Sequence, residues 1–263
     1  MQDFYSMIGF AGEAHKPAPL DQLELPGTDA AIFLDFDGTL VDIAEKPDLI
    51  SVPAALCDVL NRLCRRQGGA VAVISGRNIS DLERRLPRFR GALAGGHGAQ
   101  LRMNDGKLIR EPVDPGKVMA LQSAASAFAT TEPGLLVENK DAGVVLHFRT
   151  DPSLEEKARA FAHALADPDP DFTCQPAKMA VEIKPYGVNK GRAIEKLMRT
   201  PDFAGRVPIF VGDDRTDETG FEYVNEAGGI SIKIGEGQTE AQHRVASPVR
   251  FRQWLAALAG ENE

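Results

Sequence analysis

The sequence predicts an α/β fold, a doubly wound, mainly parallel sheet carrying an inserted α+β domain. Three observations lead there. Short apolar runs at residues 30–34, 71–74 and 207–211 each stop at a polar or glycine-containing turn, as buried parallel strands do. Helical periodicity appears at Leu56, Leu60 and Leu63 with Cys57 and Cys64, and at Phe251, Trp254, Leu255 and Leu258. Residues 103–187 form a stretch too long for a connection and read as a domain of their own. The expected division is a leader over residues 1–28, a core from 29–102 and 188–263, and an inserted cap over 103–187.

The elements follow in chain order. Residues 1–28, with Pro17, Pro19 and Pro26, read as a poorly ordered leader. The run 30–34 is a buried strand, and Asp35-Phe36-Asp37-Gly38-Thr39 stands at its carboxyl end. Positions i and i+2 of a strand share a side, so Asp35 and Asp37 face one reacting group while Gly38 lets the chain turn away. One aspartate can be a nucleophile toward phosphorus, and the other can give its proton to the departing alkoxide. The run 71–74 ends in Ser75-Gly76-Arg77, whose hydroxyl and amides suit phosphoryl oxygens. Lys190 follows Asn189 at the start of a helix and offers a positive partner to the same group.

The run 207–211 ends in Gly212-Asp213-Asp214-Arg215-Thr216-Asp217. Ligands of open parallel sheets bind outside the carboxyl ends of the strands, which places both acid clusters at one crevice. Unit charges 4 Å apart repel by about 4 kcal/mol at an effective dielectric near 20, so a cation has to be present. Oxygen ligands without histidine or cysteine select a hard ion, Mg²⁺. Asp35, Asp213 and the Asp37 carbonyl are its expected ligands. Asp214 and Asp217 are left open, as further ligands, as partners behind them, or as caps of the helix starting near Thr216.

In the inserted segment, Asp114-Pro115 caps a helix with Val118, Leu121, Ala125 and Phe128 on one stripe, and Leu154, Ala158, Phe161 and Leu165 mark a second. Strands are expected at 135–139, 143–149 and 179–184, giving helices layered on an antiparallel sheet. Glu138 with Lys140, His147 with Arg149, and Lys178 with Glu182 each share a sheet face. Mixed acids and bases on such a face suit sugar hydroxyls and phosphate. A solvated outer face is the alternative for any one pair.

The ordered set of strand-DxDGT, strand-SGR, a helix-starting lysine and strand-GDDxTDE resembles the four motifs of the haloacid dehalogenase superfamily, whose core is Rossmann-like. Glu138-Asn139-Lys140, the segment 145–149 and the segment 178–185 resemble cap signatures of trehalose-6-phosphate phosphatases. Gly95-Gly96-His97-Gly98-Ala99 and the segment 230–244 extend the likeness from about residue 31 to 258. The resemblance implies Asp35 as nucleophile, Asp37 as acid and then base, and Ser75, Gly76 and Lys190 at the phosphoryl group. It implies Mg²⁺ on Asp213 with Asp35 and Asp37. Glu138, Lys140, Lys178 and Glu182 would hold the disaccharide, joined by Arg77, Asn189, His147 and Arg149. The reaction implied is hydrolysis of trehalose 6-phosphate, the last step of trehalose formation.

Composition fits without demanding this. A net charge of −8 argues against nucleic acid. No stretch approaches the about 18 apolar residues that span a membrane, and the first twenty residues lack a signal-peptide core. The expectation is a cytoplasmic monomer acting on a small sugar phosphate. Three cysteines read as reduced packing thiols. Alternatives are a phosphatase for sucrose phosphate or a glycosylglycerate phosphate, a phosphomutase, and a noncatalytic sugar-phosphate sensor.

Overall fold

The computed structural model describes residues 18–19, 27–44, 49–177 and 179–260. In chain order the first half comprises β1 (Ala18–Pro19), β2 (Ala30–Asp35), α1 (Leu56–Arg66), β3 (Val71–Ile74), α2 (Ile79–Arg85), β4 (Ala92–Gly95), β5 (Gln100–Arg102), β6 (Leu108–Arg110) and α3 (Pro115–Thr131). There follow β7 (Leu136–Lys140), β8 (Gly143–His147), α4 (Glu155–Ala166), β9 (Phe172–Ala177) and β10 (Ala180–Pro185). The chain closes with α5 (Lys190–Met198), β11 (Val207–Gly212), α6 (Glu218–Glu226), β12 (Ile230–Ile234), β13 (His243–Val245) and α7 (Pro248–Leu258).

The large sheet runs β1-β13-β12-β11-β2-β3-β4-β5-β6. It is parallel from β1 to β4 and antiparallel over β4, β5 and β6. Alternation along β2 explains the two-sided winding: Ala30, Ile32 and Leu34 enter one core with α1, α2 and α7, while Ala31 and Phe33 enter another with α5 and α6. Each fully buried leucine or phenylalanine there contributes about 1.5–3 kcal/mol. The motif strands β2 and β11 are neighbours, in register from Val207↔Ala30 to Val211↔Leu34. Their carboxyl ends therefore open side by side.

The second sheet, β7-β8-β10-β9, is antiparallel throughout. Its Val144, Leu146, Val181 and Ile183 pack on Val118, Leu121 and Ala125 of α3 and on Ala158 and Ala162 of α4. Phe128 and Phe161 stack with centroids 4.0 Å apart. On α4 the deepest positions are Ala158, Ala162 and Ala166, and Phe161 and Leu165 lie at the margin of the expected stripe.

Three differences from the sequence reading have physical reasons. The large sheet extends to Arg110, past the residue 103 at which the inserted segment was expected to start, because β5 and β6 fold back as a hairpin on its edge. Within the leader, Ala18–Pro19 pairs with β13; the rest of residues 1–26 lies outside the described residues. The strand β9 was not expected, since Pro176 interrupts it. It lies at a sheet edge, where a missing amide is tolerated. Cys57, Cys64 and Cys174 are free thiols. Among the described residues no helix is long and apolar enough to cross a membrane.

Candidate active site

β2 ends by delivering Asp35, 3% exposed, to the crevice. β11 delivers Asp213 beside it, and the two carboxylates, with Asp217, present oxygens all within 4.8 Å of one another. The close approach needs Gly38, which adopts φ +84° and has no room for a side chain: a Cβ would stand 2.1 Å from Asp213 Oδ2. Lys190, the first residue of α5 and 3% exposed, donates to Asp35 Oδ1 at 2.7 Å and to Asp217 Oδ1 at 2.6 Å.

Asp217 Oδ2 accepts from the amides of Asp213 and Asp214 at 3.0 Å each. Asp214 accepts from the Thr216 amide and hydroxyl, capping the short turn Arg215–Asp217 that leads into α6. Asp214 is thus a cap that borders the cavity, and Asp217 is a buried member of the acid set that also fixes the loop.

Burial, with repulsion from Asp213, lifts the Asp35 carboxyl to about 7 against the pull of Lys190. Burial lifts Asp213 to about 7 as well, with Asp217 and Asp214 adding to it. Lys190, though buried, is raised because Asp217 and Asp35 surround it. Asp35 Oδ2 and Asp213 Oδ1 are buried without a hydrogen-bond partner. Two crowded carboxylates with orphan oxygens fit a hard divalent cation, which would satisfy both and relieve the repulsion.

A cavity of about 580 Å³ is lined by Asp35, Asp37, Ser75, Gly76, Arg77, Lys190 and Asp214 from the large sheet's end, by Glu138 and Lys140 from the smaller sheet, and by Arg149, which lies in the turn after β8 because that strand ends at His147 and not at the expected 149. Ser75 is buried, and its Oγ accepts from the Arg77 amide at 3.1 Å. Arg77 does not project freely into the cavity. It forks onto Asp37 with two bonds of 2.7 Å and onto Asp81 with a third. Asp81, one turn along on α2, also accepts from Arg85 at 2.9 Å.

The strands of the smaller sheet reach this cavity through Glu138 and Lys140. Glu138, Val145, Glu182 and Gln175 form one row across its four strands, and beside it Lys140 pairs with Gly143 and Lys184 with Thr173. Glu138 accepts from Lys140 and meets His147 Nε2 at 2.9 Å, and the His147 contact leads in holding its carboxyl down to about 2. Glu182 is 8% exposed and lies 3.6 Å from Nε2 of His97. Burial, with Lys190 and Lys184 nearby, keeps His97 well below its ordinary range, so the ring is neutral; burial raises Glu182. His97 sits over Gly76, where a Cβ would be 2.6 Å from Nε2.

Glu182 and Asn189 do not line the main cavity. Glu182 borders a small adjoining cleft, and Asn189 caps α5 and borders a side cavity. Lys178 lies outside the described residues. Only residues 186–189 separate β10 from α5, so Glu182, Lys184 and Lys190 follow closely on one stretch. Gln100 Nε2 reaches Asp141 of the β7–β8 turn at 2.5 Å, while its Oε1 accepts from the first amide of α2 at 3.3 Å. The sequence reading missed Lys184, Gln175, Asp81 and Gln100. Period-2 extension from Glu182 points to Lys184, and helical spacing from Arg77 points to Asp81. Nothing local marks Gln175 or Gln100.

The trehalose-phosphatase family model matches residues 33–252. The chain is 38% identical over 232 residues to a probable trehalose-phosphate phosphatase of Sinorhizobium fredii, covering 87% of both chains. It is 37% identical over 230 residues to the trehalose-6-phosphate phosphatase of Escherichia coli, covering 87% of this chain and 86% of that one. The C-terminal domain of the Candida albicans trehalose-6-phosphate phosphatase superposes with a TM-score of 0.79 at 22% identity, over 95% of this chain and 100% of that one. The architecture is that of haloacid dehalogenase-like hydrolases. With its acid pair, lysine and polar second sheet in place, the chain belongs to the trehalose-phosphatase family.

Proposed function

We propose that this protein hydrolyses trehalose 6-phosphate to trehalose and inorganic phosphate, as a cytoplasmic monomer with no nucleic-acid or membrane partner. The observation that carries the reading is the convergence of Asp35, Asp213 and Lys190 at two adjacent strand ends beneath a polar sheet face. Asp35, Asp213 and the Asp37 carbonyl would hold Mg²⁺, with Asp217 fixing the loop behind them. When bound, the ion supplies neutralising charge for the phosphoryl oxygens.

Asp35 attacks phosphorus, the bond from phosphorus to the sugar oxygen breaks, and Asp37 gives that oxygen a proton. Water then attacks the aspartyl-phosphate while Asp37 takes its proton, and phosphate and free Asp35 result. Lys190 and Ser75 hold phosphoryl oxygens in both steps. Arg77 aims Asp37 through its fork, and one of those bonds has to open when Asp37 carries a proton. Glu138, Lys140 and Glu182, with Lys178, His147, Arg149 and Asn189, are assigned to the sugar and its surroundings. Specificity then resides on one sheet and bond breaking on the other.

The test is phosphate release from a panel of sugar phosphates, with and without chelator. Trehalose 6-phosphate should give the highest kcat/KM and chelator should abolish turnover. A higher value for sucrose phosphate or a glycosylglycerate phosphate would replace the substrate, and return of phosphate to another sugar position would replace the reaction.

A further inference from the structure

Beside the main cavity, sharing only His97, Lys190 and Thr216 with it, lies a second cavity of about 180 Å³. The two differ in charge. The main cavity has Asp35, Asp37, Asp81, Asp214 and Glu138 in its wall, whereas among the described residues no carboxylate lines the side cavity. Its cations are Lys184, Lys190 and Arg215, and Thr216, Thr219, Asn189 and Gln175 add neutral polar groups. Its size is below the roughly 300 Å³ at which pockets take drug-sized ligands, and it holds about six waters' volume. A disaccharide does not fit; a tetrahedral oxyanion does.

Lys184 is the second observation. It is 6% exposed, its side chain makes no hydrogen bond or close ion pair among the described residues, and Glu182 is the carboxylate whose attraction it feels. An ammonium on a mostly buried side chain with no carboxylate in direct contact is costly, and its donors are open to an anion from outside. Lys190 is different, pairing directly with Asp35 and Asp217.

Resting on the phosphatase reading above, we infer that the side cavity is an inorganic-phosphate site, with Lys184 as its principal cation, through which the product ion leaves while the sugar still occupies the main cavity. Burial depresses Lys184 to about 8, which leaves it mostly charged at neutral pH and responsive to an arriving anion. Phosphate released at Lys190 has a shared wall to cross, and the acid-free lining draws it away from the carboxylates.

The test uses the full chain, orthophosphate as probe, and Lys184→Met and Lys184→Arg. Thermal unfolding at rising phosphate is read first, because it needs no turnover. Lys184→Met should melt above the wild type without phosphate, since burial costs this ammonium more than the attraction of Glu182 returns, and should lose most of the phosphate-induced rise; Lys184→Arg should restore it. With a small aryl phosphate as substrate, the phosphate inhibition constant of Lys184→Met should increase at least tenfold relative to KM. A lower melting point for Lys184→Met without phosphate would assign the lysine a structural role and overturn the inference. So would an unchanged phosphate response. Absence of hydrolysis of every phosphate ester by the wild type would instead strike at the phosphatase reading, and the melting experiment would still decide the site.

Discussion

Replacing Asp213 by asparagine should make the metal-free protein more stable and the enzyme inactive. Asp213 is mostly buried, and burial with its acidic neighbours lifts its carboxyl from 3.8 to about 7. That displacement corresponds to about 4 kcal/mol of folding free energy withheld when the group is ionised. The sign follows from the raised folded value. Below pH 4 the carboxyl is protonated in both states and nothing is lost. Between pH 4 and 7 the unfolded chain gives up its proton first, so wild-type stability falls, and above pH 7 the loss is complete. Asp213→Asn removes this loss, and about 4 kcal/mol is roughly 8–16 °C of melting temperature for a chain of this size. The assay is thermal unfolding in chelator at pH 8 and at pH 4.5, repeated with excess Mg²⁺. The variant should lead by most at pH 8 in chelator and by little at pH 4.5. Mg²⁺ should raise the wild type by about 2.7 kcal/mol at a hundredfold excess over Kd and leave the variant nearly unmoved. A variant that melts below the wild type in chelator at pH 8, or that answers Mg²⁺ equally, would refute the reasoning.

Three further outcomes are expected. Lys190→Met removes the shared partner of two buried carboxylates, so urea unfolding should show a loss of about 3–5 kcal/mol at neutral pH that shrinks on acidification as Asp35 and Asp217 take up protons. Glu182→Ala should lower kcat/KM for trehalose 6-phosphate by about 10- to 100-fold while a small aryl phosphate loses only a few-fold, since the side chain stands on the second sheet away from Asp35; equal losses would indicate misfolding. Asp37→Asn should cost about 10²- to 10⁴-fold in turnover and let acid-quenched phosphoenzyme accumulate, and full turnover would remove Asp37 from proton transfer.

The strands that carry the chemistry were legible because apolar runs ending in acids have few other uses, and the neighbouring register of β2 and β11 brought Asp35 and Asp213 together as the spacing required. The helices of the second sheet were legible from their stripes, down to the Asp114 cap. What stayed hidden depends on distance in sequence. Arg77 was expected at the substrate and lines the cavity, but the fork by which it joins Asp37 to Asp81 comes from the geometry of a strand end meeting α2 and has no local signal. The β5–β6 hairpin is three residues per strand, too short for any periodic signal, and β9 hides behind its proline. Period 2 puts Lys184 on the face of Glu182, but its burial shows only once β10 is known to be buried along its whole length. Lys178 and most of the leader fall outside the described residues.

The brevity of the link between β10 and α5 bears on engineering. Because Glu182 precedes Lys190 by a single short segment, recruiting a foreign specificity module by chimera cannot treat the two halves as independent parts. A graft that lengthens this segment by even one residue would shift the reading surface against the helix that holds the ammonium, and a recipient scaffold inherits the new preference only if the donor's splice keeps that spacing.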